Sequence, residues 1–143
     1  MLYEHIEVPI SLEHTRARFA YNSVNTTIGN LTDPDRRKEF KSWAAKFPSM
    51  ISSCGLLQAA TFYKEKNEKL YTILQDWFKK TGFLNDDQGL LDYLMNHCTD
   101  TYHYILMVKE AIEFLSWVKR FANILVPGTT NEPQDINQGE QNA

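Results

Sequence analysis

Residues 101–125, TYHYILMVKEAIEFLSWVKRFANIL, constrain the fold more than any other part of this chain. Tyr104, Val108, Ala111, Leu115, Val118, Ala122 and Leu125 follow one another in alternating steps of four and three. That spacing puts them on one face of an α-helix. A second apolar stripe, Phe114, Trp117, Phe121 and Ile124, runs beside the first. The spacing predicts a long helix opening at Thr99 or Asp100 and ending at Leu125. A helix apolar on two faces is either the central core helix of a domain or turns one face to a partner. Both alternatives stand at the level of sequence. Phe114, Trp117 and Phe121 are the candidate protein interface.

No segment shows sustained polar–apolar alternation with β-branched enrichment, so no sheet is predicted. Helix signals precede the long helix throughout. Ser11 can cap a helix running to about Ile28, stopped by Gly29-Asn30. Asp33-Pro34 is a start signal, an acidic cap followed by proline in the first turn. The helix it opens aligns Phe40, Trp43, Ala44 and Phe47. Pro48 is expected to break or restart that helix, leaving a short one that ends at Gly55. Leu56 to Lys66 then forms a helix with Leu56, Ala59, Ala60 and Tyr63 in register. Glu68 to Lys80 forms another, directing Leu70, Ile73, Leu74 and Trp77 inward, with Gly82 ending it. NDDQG (85–89) is a polar loop or cap before a helix from Leu90 to His97. The expected fold class is all-α: a compact single-domain helical bundle of about five to six helices with a long C-terminal helix. Residues 1–126 form the domain. The acidic stretch 127–143, rich in Gly, Asn, Gln, Glu and Thr, is expected to be disordered.

Charge is distributed unevenly. The net charge is -3, yet residues 16–80 carry twelve bases against six acids. Such asymmetry points to an anionic partner. Arg37, Lys38 and Lys41 lie on one flank of the helix after Asp33, and Lys46 on the other. Arg16 and Arg18 come from the first helix, and Lys64, Lys66 and Lys69 surround the Glu65–Glu68 corner. Arg16 shares a face with Ala20 and Val24, which sets it along the core edge. The cluster is either a solvated charged surface or a sequence-blind groove for phosphates.

Other chemistry finds little support. His97, Cys98 and His103 do not have structural zinc spacing, and the only two cysteines, Cys54 and Cys98, form no CxxC pair. Ser52, Ser53 and Cys54 lack an identifiable base, and Cys54 reads as a buried helix-end residue. Asp86-Asp87 lacks the pattern of a calcium loop, and neither phosphate-binding glycine motif occurs. The expectation is a non-enzyme without metal or cofactor. A small metal-dependent enzyme and a helical protein–protein module are the rivals. The first residues lack the basic and apolar regions of a secretory signal, and no apolar run approaches a membrane span, so a cytoplasmic protein is expected.

Three stretches occur in a telling order: RARFAY (16–21), KFPSMISSCGLLQAATFYKEK (46–66) and KEAIEFLSWVKRFA (109–122). Together they resemble the small all-helical subunit of the type III-B CRISPR RNA-guided effectors, the Cmr complexes. Pro48, Ile51, Gly55, Leu56, Ala59, Phe62, Glu110, Ala111, Phe114, Leu115, Trp117, Lys119 and Arg120 occupy matching places. The resemblance implies a non-catalytic antiviral subunit that stacks with further copies of itself beside the backbone subunits and the large polymerase-like subunit. It implies contact with guide RNA and target RNA through the phosphate backbone, while base pairing supplies specificity. Arg16, Arg18, Arg37, Lys38, Lys41, Lys46, Lys64 and Lys66 are the expected RNA-binding residues. Two departures stand out: Cys54 replaces a frequent Asn, and Ile105 and Leu106 replace residues that are often basic.

Overall fold

The computed structural model describes residues 11–128. Among them the chain forms six helices and no strand: α1 (Leu12–Asn30), α2 (Pro34–Cys54), α3 (Leu56–Lys66), α4 (Glu68–Thr81), α5 (Leu90–Asn96) and α6 (Thr101–Leu125). The part of the expected tail from residue 129 onward lies outside the described residues.

Local chemistry sets most boundaries. Ser11 accepts a hydrogen bond from the His14 amide at 3.1 Å, Asp33 from Asp35 at 2.9 Å and Asp100 from Tyr102 at 3.0 Å. These are side-chain N-caps that satisfy amides a helix cannot pair itself. Gly55 separates α2 from α3 at φ +90°, a conformation that favours glycine. One boundary differs from expectation. α2 continues through Pro48 instead of breaking there. The proline removes one backbone bond and crowds the preceding turn, costing about 3 kcal/mol. Phe40, Ala44, Phe47 and Ile51 are all buried on one stripe that crosses it. At about 1.5–3 kcal/mol for each large side chain, that burial outweighs the interruption.

The core forms around α6. Trp77 of α4 stacks on Phe114 at 4.8 Å between centroids, and Phe47 of α2 stacks on Tyr63 of α3 at 3.7 Å. Contacts fix the helix directions. Arg16 meets Glu110, Phe19 meets Phe114 and Tyr21 meets Phe121, so α1 and α6 run parallel. Lys41 reaches Val126, while Leu57, just past α2, reaches Tyr104, so α2 runs antiparallel to α6. Both faces of α6 are therefore packed over much of its length. The second stripe changes along the helix: Phe114 is fully buried, Trp117 and Phe121 are half-buried, and Ile124 is exposed.

Where a helix end has no side-chain cap of its own, another helix supplies one. Tyr104 accepts from the Leu57 amide at 3.2 Å and so caps the start of α3. Gln75 and Tyr71 of α4 accept from the Leu90 and Leu91 amides at 2.7 and 2.8 Å, capping α5. α1 and α6 have no basic residue in their last turns. Arg37 and Lys41 of α2 donate instead to the carbonyls of Leu31 and Val126, at the negative ends of those two helix dipoles.

Candidate nucleic-acid interface

The eight expected RNA-binding cations separate by what their charged atoms touch. Arg16 grips Glu110 with two hydrogen bonds, Nε to Oε2 at 2.7 Å and Nη2 to Oε1 at 2.8 Å. Trp77 donates its indole N–H to the same Oε2 at 3.0 Å. The pair is 15% and 11% exposed, which makes it part of the core edge. The hydrogen bond to Glu110 raises the Arg16 pKa, opposed by desolvation and aided by the charges of Glu110, Glu113 and Glu13. Arg16 is therefore a clamp between α1 and α6. As a phosphate ligand it would have to abandon Glu110. Arg37 and Lys41, both half-buried, are held by the carbonyls at the ends of α1 and α6.

The other five remain on the surface. Lys46 lies over the Trp43 ring at 5.0 Å, and Lys64 lies over Tyr71 at 4.9 Å while pairing with Glu68 at 3.5 Å. Arg18 is exposed beside His14, at 3.4 Å. Lys38 and Lys66 are exposed. Two further cations belong with them. Arg36 and Lys69 line one cleft together with Lys66, where α2 meets the α3–α4 junction. Lys69 was visible as part of the basic corner. Arg36 carries no such signal in sequence, because its proximity to that corner depends on how two helices pack.

The three residues of the expected protein interface differ in exposure. Phe114 is fully buried against Trp77 and Phe19, so it presents no surface. Trp117 and Phe121 remain partly accessible, with Arg120 over the Trp117 ring at 5.4 Å. Exposed apolar side chains also lie on the opening turns of α6, at Tyr102, Ile105 and Leu106, and at its end, where Ile124 matches Tyr102 at 68% exposed. Cys54, expected to be buried, is exposed at the end of α2 because the buried stripe passes through Ile51.

Among the described residues, no group of three or more His, Cys, Asp or Glu side chains is placed to hold a metal ion. His97 faces Asp92 at 3.6 Å, while the His103 ring packs against Phe83 and Tyr93. No described helix is long and apolar enough to cross a membrane.

The structure defines the class as an all-helical bundle with solvent-facing cations on several helices. The family model described as CRISPR-associated protein (Cas_Cmr5) matches residues 12–125, from the first residue of α1 to the last of α6. The chain belongs to that family, the small subunit of the type III-B CRISPR effector, and is thus part of a multi-subunit Cmr complex. No curated protein matches it.

Proposed function

We propose that this subunit is non-catalytic and cytoplasmic, and that it steadies target RNA paired to the guide by contacting the phosphate backbone. The observation that carries this reading is the set Arg18, Lys38, Lys46 and Lys66. All four are exposed and have no carboxylate partner among the described residues. Unneutralised cations on rigid helices suit a backbone whose charge is regular and whose sequence is irrelevant to the contact. Lys64 joins the set with its charge partly offset by Glu68. Trp117 and Phe121 serve as contacts to neighbouring subunits, and the exposed Tyr102, Ile105 and Leu106 form a second protein-facing surface on the opening turns of α6.

The test is Lys38→Glu combined with Lys46→Glu in the assembled effector. Target RNA retention should fall, while the melting temperature of the isolated subunit stays within a few degrees. The log–log salt dependence of retention should flatten by about 0.7–0.9 for each phosphate contact removed. Unchanged retention with an unchanged salt slope would remove these residues from the RNA path.

A further inference from the structure

Two concave regions of the surface run into one another. The first, about 240 Å³, is the corner cleft bordered by Arg36, Lys66 and Lys69. Glu39 and Glu68 also border it, but Glu68 is drawn towards Lys64 at 3.5 Å. The second is a trough of about 660 Å³ between α1 and α4. Its α1 wall includes Asn22, Thr26 and Asn30, and its floor includes Phe19 and Ile73. Glu68 and Lys69 line both regions, so the cleft and the trough adjoin at the start of α4.

The chemistry changes from one to the other. At the corner, three cations from three segments converge, and none of them has an ion-pair partner among the described residues. Beyond Lys69 the α1 wall is uncharged, and the facing α4 wall carries one acid, Asp76, whose pKa is raised by burial. Asn22, Thr26 and Asn30 follow at four-residue steps, so they form one stripe about 12 Å long. Amides and hydroxyls both donate and accept, which suits ribose hydroxyls and base edges without committing to a sequence. Phe19 adds a half-buried aromatic side chain, the residue type on which unpaired bases stack. Packed helices lie about 8–10 Å apart axis to axis, a spacing suited to one strand lying along the groove.

We propose that the adjoining cleft and trough hold a short stretch of unpaired, single-stranded RNA. Its phosphates face Arg36, Lys66 and Lys69, and its riboses and bases lie along the Asn22–Thr26–Asn30 stripe. The inference rests on the reading of the chain as an RNA-contacting subunit, but assigns unpaired RNA to a site away from Lys38 and Lys46.

The experiment is an NMR titration of the full chain with an eight-nucleotide oligouridine, a duplex of equal length, and inorganic phosphate. Oligouridine should shift the side-chain amides of Asn22 and Asn30 together with signals around Lys69, and the duplex should leave the two amides unmoved. Arg36→Glu with Lys69→Glu should weaken oligouridine binding about tenfold or more, and Arg36→Lys with Lys69→Arg should restore most of it. Both substituted residues lie on the surface, and an unchanged melting curve verifies folding. Three results overturn the proposal: no shift at millimolar oligouridine, equal shifts with the duplex, or phosphate perturbing the corner while oligouridine leaves Asn22 and Asn30 unmoved. The Lys38/Lys46 experiment in the assembled effector judges the parent reading separately, so either can fail while the other stands.

Discussion

Glu110 serves two donors at once, and its loss should be felt by both. Glu110→Ala strands the Arg16 guanidinium at the core edge and leaves the Trp77 indole N–H without its acceptor. Breaking a largely buried charged pair costs about 3–5 kcal/mol, and residual exposure of this one lowers the expected loss to about 2–4 kcal/mol. Urea denaturation of wild type and variant measures it directly. Tyr63 makes a second residue-level prediction. Its ring is fully buried, its hydroxyl donates to the Trp43 carbonyl at 2.7 Å, and desolvation pushes its pKa well above the usual tyrosine value. An acid with a raised folded-state pKa keeps its proton in the native state after the unfolded chain has released it. Stability therefore falls as pH rises past about 10. Tyr63→Phe should cost about 1–2 kcal/mol at neutral pH and lose less than wild type between pH 9 and 11, as read from denaturation midpoints. Neither partnership was legible in sequence: Arg16 and Glu110 stand 94 positions apart, and periodicity reports a residue's face, not what lies opposite it.

Element boundaries were far more legible, because the chemistry that sets them is local. Ser11, Asp33, Asp100, Gly55 and Gly82 all act within a few residues of themselves. Pro48 misled for the complementary reason: its effect was decided by burial against other helices, which a local rule does not contain. The same distinction applies to caps supplied from afar. Tyr104→Phe keeps the ring and deletes the oxygen that accepts from the Leu57 amide. It should destabilise the protein by about 0.5–2 kcal/mol, as for loss of an N-cap. A melting temperature lowered by roughly 2–8 °C in calorimetry is the expected reading. Among the candidate cations, Arg37 and Lys41 read as surface charges because their partners are backbone carbonyls, which carry no signature in sequence.

For the whole molecule, α6 holds the other helices in place. It lies parallel to α1 and antiparallel to α2, and supplies Glu110 to Arg16, Tyr104 to α3 and Phe114 to Trp77. A chain ending at residue 100 should consequently lack a cooperative unfolding transition and show much less helix by circular dichroism than its five remaining helical segments would give. Retention of a sharp transition would mean that α1–α5 close a core by themselves. The caps exchanged between distant helices also bear on the order of events during synthesis. Ribosomes deliver the donors of these contacts first and their acceptors last: Arg16 waits for Glu110, Lys41 for Val126 and the start of α3 for Tyr104. A nascent chain lacking α6 displays Trp77 and the apolar stripe of α2 without their eventual cover. The interval before α6 emerges is thus when this protein is most open to chaperones and to aggregation.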